Sequence, residues 1–327
     1  MNESRSGDAS AINQAISRRV SVRSISLAIV VAVVMYVGMA ALADWELFGA
    51  AVSLLTGALW VQVVGLSLFS YLLRFARWHH FIVAMRYKVP IVRNLEIYLA
   101  ALALTLTPGK AGETIRSVYL HPYGVSYPNS IGAFISERLL DLVVVGALAM
   151  SMFPEHLPWM LAAIGCIVSA VLLLRSRLIT LIGRLVARSS VVGHATTLIA
   201  TVRFLLSGSR LAVAALLSLA AWVAQGVSLY LIVHAFGYEL AAGTLIAIYC
   251  LSILAGAVSL IPAGLGATEV TIVLLLSAAG VSNSDAIAAS VVSRSLTLWL
   301  AVGIGILAMT KISLSSFNLR TLLNEER

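Results

Sequence analysis

Six apolar runs dominate this chain, and each is long enough to cross a bilayer as an α-helix. They cover residues 25–43, 47–73, 130–152, 159–174, 211–236 and 286–309. A hydrocarbon core about 30 Å thick needs about 20 helical residues, because each residue adds about 1.5 Å. With 60% hydrophobic and 11% charged residues, the chain lacks the polar side chains to cover a soluble globule of its length. The sequence therefore predicts an all-α polytopic membrane protein.

Two further apolar regions are interrupted by proline and clustered glycines, and they repeat one motif. Residues 108–113 read PGKAGE, and residues 262–269 read PAGLGATE. Several of the apolar arms beside these breaks are too short to span alone, so we interpret residues 95–122 and 243–280 as two re-entrant helix pairs. Residues 243–261 are long enough to cross, so eight or more spans remain an alternative to six full spans.

The positions of the basic residues set the predicted topology. Of the 22 Lys and Arg residues, 18 lie in the two tails and in residues 74–93 and 175–210. Basic residues favour cytoplasmic loops, so both termini are expected to be cytoplasmic. Residues 1–24 and 311–327 are then tails around one transmembrane domain, residues 25–310, and residues 175–210 form a cytoplasmic interfacial segment. The first run is interpreted as a retained span, although its basic flank also resembles a signal peptide.

The same topology makes the two halves of the chain inverted repeats. Repeat 1 covers about 47–152 and repeat 2 about 211–310, and the two broken segments enter the membrane from opposite sides. Inverted repeats are a recurrent architecture of alternating-access transporters. The net charge of +8 is assigned to contacts with anionic lipids at the cytoplasmic face, and no nucleic-acid partner is predicted.

Four cations remain inside the predicted membrane segments, namely Lys110, Arg116, Arg138 and Arg294. A charge in hydrocarbon costs about 2.5–3.5 kcal/mol even on lenient scales, so it persists when a partner or ligand compensates it. Arg138 follows Glu137 and lies three residues before Asp141, within reach on one helix. This group is either a self-neutralising structural cluster, or a site where Arg138 binds a lipid phosphate while the carboxylates orient it and exchange protons.

The second half carries a matching arginine in a different setting. Arg294 aligns with Arg138, and Thr297 aligns with Asp141. No carboxylate neighbours Arg294 in the sequence, so Glu269 of the repeated motif is its predicted partner. The planar fork of an arginine engages two oxygens at once, which suits a phosphate or a carboxylate.

The breaks offer backbone amides as a second device for binding anions. Thr107 is expected to cap a helix that begins at Pro108, and a helix N-terminus attracts phosphate. Glycines near both prolines permit close approach of the backbone. The predicted ligands of a lipid headgroup or phosphate are Arg138, Arg294, Lys110, Arg116, Gly109, Gly112, Gly264 and Gly266. The predicted charge partners or proton-coupling residues are Glu113, Glu137, Asp141, Glu269 and Thr297, and the helix breaks are Pro108 and Pro262. No catalytic residue, metal site or cofactor is predicted.

Together these motifs resemble the lysylphosphatidylglycerol synthase/flippase transmembrane-domain family of flippase-like integral membrane proteins. The resemblance covers about residues 25–310, and it rests on the two break motifs, on Glu137-Arg138 with Asp141, and on Arg294 with Thr297 and Trp299. It implies that a phospholipid or related lipid moves between leaflets. The chain departs from the family at Ala263, where a glycine is expected. The full synthase proteins carry a C-terminal soluble aminoacyl-transferase domain, whereas this sequence ends 17 residues after Thr310, so we do not expect it to make an aminoacyl lipid.

The predicted function is therefore that of a lipid transporter rather than an enzyme. It would move a phospholipid, a glycolipid or a lipid-linked anionic headgroup across a bacterial-type inner membrane by alternating access, as a monomer or a homo-oligomer. One alternative is a membrane-embedded transferase that acts on a lipid-linked substrate. Another is an accessory subunit of an envelope-lipid biosynthetic pathway.

Overall fold

The chain is helical throughout the part that the structure describes. This computed structural model describes Ser53 and residues 55–151, 190–259 and 261–325. Within those residues the elements are helices joined by turns, with no strand, which confirms the predicted all-α class. The predicted spans at residues 25–43 and 159–174 lie outside the described residues, as do residues 175–189 of the predicted interfacial segment.

Three helices in the described residues are long and apolar enough to cross a membrane. They are Gly57–Ala84, Gly208–Ala235 and Asn283–Ile312. Two shorter apolar helices, Ala242–Val258 and Pro262–Ala278, fall below the length of a full span. Several helices of these lengths in one chain define a multi-pass membrane protein.

Helix α1, Gly57–Ala84, extends well beyond the apolar run from which it was predicted. The assignment of residues 74–93 to a cytoplasmic loop is wrong for Arg74 and Arg77, because both lie within α1 and Arg77 is fully buried. The helix continues because its buried face stays largely apolar after Arg77. The buried residues on that part of the face are Trp78, Phe81 and Ile82. The charge of Arg77 is tolerated because carboxylates from another helix meet it, as described below.

The first half continues from α1 through the first break. Its further elements are α2 (Ile91–Leu102), a 3-10 segment (Pro108–Ile115), α3 (Arg116–Leu120) and α4 (Tyr127–Met150). Helix α4 confirms that the apolar run at 130–152 is helical. The short α2 ends where the break begins, which matches the short apolar arm seen in the sequence.

The first break differs from the α-helix that was predicted to begin there. Pro108 does occupy the first helical position, but the segment is a 3-10 helix in which Lys110 has a φ of 56°. That left-handed conformation does not fit an α-helix. The Thr107 hydroxyl accepts a hydrogen bond from the Gly112 amide at 2.6 Å. A Cβ on Gly112 would lie 2.7 Å from the Leu104 Cβ, so only glycine fits this close approach.

The second half follows the same order of long helix, short helix, break and long helix. Helix α5 (Ser190–Leu205) precedes it, and its elements are α6 (Gly208–Ala235), α7 (Ala242–Val258), a 3-10 turn (Pro262–Gly264), α8 (Ala267–Ala278), α9 (Asn283–Arg294), a π-helical turn (Ser295–Trp299) and α10 (Leu300–Glu325). The residues predicted as a tail, 311–327, are helical as far as Glu325. The π-helical turn lies directly after Arg294, and such turns are frequent at functional sites.

The second break is a left-handed backbone bend. Ala263, Gly264 and Gly266 have φ angles of 54°, 66° and 82°, and α8 begins directly afterwards at Ala267. Glycine adopts such angles without a Cβ penalty, whereas alanine is strained there. This strain gives a physical reason why a glycine is expected in place of Ala263.

The two halves pack against each other through pairs of helices, one from each half. Helix α1 packs along α6, α2 packs along α10, and α4 packs along α7, while the two 3-10 segments contact each other. At Gly305 of α10 a Cβ would collide with the backbone of Leu102 and Ala103. Gly226 of α6 approaches the Cα of Ile246 on α7 in the same way, at 2.8 Å from an added Cβ. Each half is therefore completed by a helix of the other, and one hydrophobic core joins them.

Candidate functional site

A cavity of about 340 Å³ lies where the two halves meet. Both breaks contribute to its lining, together with residues of α1, α2, α4, α6, α7 and the π-helical turn. Its charged lining residues are Arg74, Lys110, Glu113, Arg138, Asp141 and Arg294. The structure thus brings Lys110, Arg138 and Arg294, which were predicted as anion ligands from distant parts of the sequence, to one cavity.

Asp141 is the carboxylate through which α1, α4 and α6 are joined. Its Oδ1 accepts hydrogen bonds from Arg77 Nη1 at 2.5 Å and from Trp222 Nε1 at 3.0 Å. Its Oδ2 lies 3.2 Å from Arg77 Nη2 and 3.3 Å from Arg138 Nη2. Arg77 also donates to the Ser218 hydroxyl. The predicted contact between Arg138 and Asp141 is confirmed, but Arg77 is the closer partner.

Glu137 and Arg116 lie behind the cavity rather than on its lining. Glu137 accepts from Arg116 Nη1 at 3.0 Å and from Arg77 Nη2 at 3.4 Å, and it is fully buried. Arg116 also pairs with Glu113 at 3.0 Å and stacks over the ring of Trp78 at 4.1 Å. Arg116 is thus engaged in buried ion pairs and does not line the cavity in this conformation, and its contact with a headgroup stays a prediction.

Arg138 differs from these buried arginines because it faces the cavity. Its side chain is 26% exposed, and its Nη2 lies 3.3 Å from Asp141 and 4.0 Å from Glu113. Its Nε is buried and has no hydrogen-bond partner in the described part of the chain. Arg77 and Arg116 tie the helices together through these carboxylates, while Arg138 lies on the lining of the cavity. The phosphate-binding role of Arg138 and Lys110 stays a prediction.

Arg294 has the partner that the repeated motif predicted. Its Nε donates to Glu269 Oε1 at 2.7 Å, and its Nη2 donates to the Ala263 carbonyl at 3.0 Å. The other oxygen of Glu269 accepts from the Gly266 amide at 2.7 Å. The arginine of the second half is thereby tied to the backbone of its own break.

Thr297 lies in the π-helical turn, and its role as a charge partner or in proton coupling stays a prediction. It lines the cavity, but its hydroxyl donates to the Ser293 carbonyl at 2.8 Å. Its own carbonyl accepts from the Tyr71 hydroxyl at 2.7 Å, which links α1 to the π-helical turn.

The glycine amides of the breaks are less open than the sequence indicated. Gly112 donates to Thr107, Gly264 to the Ile261 carbonyl and Gly266 to Glu269. These three amides already have acceptors within the protein, so in this conformation they do not offer free donors to an anion. Gly109 lies in the 3-10 segment, where its role stays a prediction. Pro108 and Pro262 both begin a 3-10 segment, as breaks in the helices should.

Sequence reasoning missed two cations and several polar side chains of this site. Arg74 lines the cavity and lies over the ring of Trp222 at 4.1 Å. Gln225 and Tyr249, which bond to each other at 2.9 Å, also line it. The available signal was the spacing of Arg74 and Arg77, three residues apart on a helix whose apolar pattern continues past them. Among the described residues, no cluster of His, Cys, Asp and Glu could hold a metal ion.

These features define a class, a multi-pass helical membrane protein with a cationic cavity between two halves of similar helix order. The chain belongs to the family described as the lysylphosphatidylglycerol synthase TM region, whose sequence model matches residues 24–305. It is similar to a UPF0104 membrane protein from Methanothermobacter thermautotrophicus, with 34% identity over 88 residues, 27% of this chain and 26% of the relative. A second UPF0104 membrane protein from that organism is 33% identical over 90 residues, 28% of this chain and 27% of the relative. The aligned stretches thus span about a quarter of the length of these curated relatives.

Proposed function

We propose that this protein moves a lipid with an anionic headgroup between the two leaflets of a membrane. The observation that carries the proposal is the cavity between the halves, which is lined by Arg138 and Lys110 of the first half and by Arg294 of the second. Cations inside a membrane protein mark the path of an anion, because leaving them uncompensated is costly. The membership in a family named for lysylphosphatidylglycerol synthase agrees with a lipid-related role.

The remaining lining suits a lipid rather than a small soluble anion. Apolar side chains from both halves share the lining with the charged residues, among them Leu142, Val145, Ile253 and Leu254. Leu142 is 45% exposed, so the cavity wall reaches the outer surface of α4 there. A headgroup in the cavity could thus keep its acyl chains in the bilayer, and only the headgroup would need to cross the protein.

The pairing of helices between the halves supports a transporter built from two related halves that move relative to each other. If the halves are repeats, α1 corresponds to α6, α2 to α7, and α4 to the helix formed by α9 and α10. Under that correspondence the contact of α2 with α10 is the counterpart of the contact of α7 with α4, as a two-fold relation requires. Combined with the charge-derived topology, this pattern favours inverted repeats with two re-entrant breaks, a framework for alternating access.

The rest of the functional picture follows from the same proposal. Both termini would be cytoplasmic, in an inner membrane whose anionic lipids meet the basic segments. The carboxylates Glu113, Glu137, Asp141 and Glu269 each contact an arginine, which is a charge-partner role. Proton coupling through them stays a prediction, which transport rates with and without an imposed pH gradient would test. The protein itself would act as a transporter and not as an enzyme.

The direct test is transport by purified protein in liposomes. Fluorescent phospholipids placed in one leaflet should reach the other faster with the wild-type protein than in protein-free vesicles. The variant Arg138→Ala should slow this movement, whereas Arg203→Ala, at an exposed position of α5, should not. A wild-type protein that moves no lipid would refute the transport proposal, and an unchanged rate in Arg138→Ala would refute the site. Chemical conversion of the lipid, detected by mass spectrometry, would instead identify an enzyme.

A further inference from the structure

The lining of the cavity carries more positive than negative charge. Its cations are Arg74, Lys110, Arg138 and Arg294, and its carboxylates are Glu113 and Asp141. Four cations against two carboxylates give the lining a net formal charge of +2. The charges directly behind it are equal in number, with Arg77 and Arg116 opposite Glu137 and Glu269. The excess of two positive charges is therefore a property of the whole cluster.

This excess can be assigned to Arg74 and Lys110. The other two cations of the lining have carboxylate partners. Among the residues that the structure describes, no ion pair within 4.0 Å involves Arg74 or Lys110. Arg74 instead lies over the ring of Trp222, and its Nε is buried without a hydrogen-bond partner in that part of the chain. Within the described residues, two cations thus face one cavity without a carboxylate within 4.0 Å of their charged groups.

A ligand that matches this site should bring two negative charges. A phosphate monoester carries about −1.5 to −2 at neutral pH and offers three acceptor oxygens. The phosphodiester of an ordinary phospholipid brings one negative charge, and an ethanolamine headgroup cancels it. A lysylated phosphatidylglycerol headgroup carries two ammonium groups against one phosphate, so its charge has the same sign as the lining. The cavity should therefore favour a lipid whose headgroup is a phosphate monoester, and it should disfavour lysylated phosphatidylglycerol.

On the basis of the proposed transport function, we propose that the protein selects lipids whose headgroup is a phosphate monoester, and that Arg74 and Lys110 set this selectivity. Arg74 contributes a planar guanidinium from α1, and Lys110 contributes an ammonium from the first break. Together they hold the phosphate oxygens that the paired arginines leave unsatisfied. Arg138 and Arg294 are the less selective part of the site, because carboxylates already balance their charges.

The test measures transport of three lipids by the full chain in phosphatidylcholine vesicles. The fluorescent probes are acyl-labelled phosphatidate, phosphatidylethanolamine and lysylphosphatidylglycerol. Wild-type protein should move phosphatidate at least about tenfold faster than the other two, the effect expected of one charge-assisted hydrogen bond. Arg74→Gln and Lys110→Gln should each lower the ratio of the phosphatidate rate to the phosphatidylethanolamine rate, about tenfold at most, while Arg74→Lys should restore part of it.

Matched controls are available at exposed positions outside the cavity. Arg203→Gln and Lys88→Gln remove the same charges from the protein, and the rate ratio should stay at its wild-type value. If these controls lowered the ratio as much as the cavity variants, overall charge and not the cavity would set the preference, and the selectivity proposal would be overturned. Equal wild-type rates for the three lipids would also overturn it, yet they would leave lipid transport intact. A wild-type protein that moves none of them would refute the transport function itself.

A second measurement needs no variant and separates a lipid from a soluble phosphate ester. The thermal unfolding temperature of wild-type protein in neutral detergent should rise with short-chain phosphatidate. It should not rise with short-chain phosphatidylethanolamine, and glycerol phosphate at the same concentration should raise it less. An equal rise with phosphatidylethanolamine contradicts the selectivity. If glycerol phosphate raised the unfolding temperature as much as short-chain phosphatidate, the ligand would be a soluble phosphate ester and not a lipid.

Discussion

The two halves of the molecule hold an arginine beside the same cavity in two different ways. In the first half, carboxylates and arginines of α1, α3, α4 and the 3-10 segment form one network, whose members are Arg77, Glu113, Arg116, Glu137, Arg138 and Asp141. In the second half, Arg294 meets one carboxylate, Glu269, and the backbone of the break. The network satisfies its carboxylates largely with Arg77 and Arg116 and leaves Arg138 facing the cavity. We therefore expect an anionic headgroup to dwell longer on the side of the first half.

The largest expected effect is the loss of the bridging carboxylate in the network. Glu137→Gln removes a fully buried charge that pairs with both Arg77 and Arg116, so that these two arginines and Arg138 must share the two carboxylates of Glu113 and Asp141. Removing one partner of a buried ion pair costs about 3–5 kcal/mol, because the remaining charge stays buried. Equilibrium unfolding in detergent should show a loss in this range. A loss below about 1 kcal/mol would mean that the network is not a unit of stability.

A smaller loss is expected from the same exchange in the second half. Glu269→Gln leaves only Arg294 without its carboxylate, and that side chain keeps its contact with the Ala263 carbonyl. We expect about 2–3 kcal/mol, the cost of a lost hydrogen bond to a charged group. The same unfolding experiment gives the comparison with Glu137→Gln. If Glu269→Gln cost more, the pair in the second half would contribute more to stability than the network in the first.

An intermediate loss of stability should follow from disturbing the packing of α2 against α10. Gly305→Ala places a methyl group against the backbone of Leu102 and Ala103, which a flexible side chain cannot relieve. Overpacking of this kind costs about 1–3 kcal/mol. Gly303→Ala is the matched control on the same helix, because an added Cβ there meets nothing within 4 Å. Equal unfolding free energies for the two variants would show that α2 and α10 are not in close contact.

The smallest effect on stability should come from the arginine that faces the cavity. Arg138→Gln leaves Asp141 with its contacts to Arg77 and Trp222, so the loss should stay near 1 kcal/mol. Lipid transport should nevertheless fall about tenfold, because the headgroup loses a charge-assisted hydrogen bond. This variant should therefore lose most of its transport rate while it keeps most of its stability. If the variant instead lost much of its stability and little folded protein remained, Arg138 would be a structural residue like Arg116.

Much of the helix order could be predicted from the sequence because apolar length and breaks are local properties. The pairing of Arg294 with Glu269 could also be predicted, since the repeat places both near the second break. By contrast, Arg77 and Asp141 are 64 positions apart, and nothing beside Arg77 in the sequence shows its partner. The expectation that Arg77 lies in a loop was wrong for this reason. A buried charge is compensated through space, so the partner becomes visible only when the helices are packed.

The detailed form of the breaks was also beyond local rules. Proline at the start of a helix and glycines nearby predicted an interruption, and each break has one. They did not predict the left-handed angle at Lys110 or the use of the Gly112, Gly264 and Gly266 amides inside the protein. Those details depend on contacts of the glycines with Leu104, Ile261 and Glu269. These residues are close to the glycines in sequence, but they contact them only once the backbone has folded.

The pairing of α2 with α10 also bears on how the protein is made. These helices lie about 200 residues apart in the chain, and contacts of such long range slow the search for the native state. During synthesis the first break would enter the membrane long before its packing partner leaves the ribosome. For that interval the cationic face of the first half has no second half to enclose it. Newly inserted chains should therefore depend on lipids or on insertion factors to shield that face until the last helix arrives.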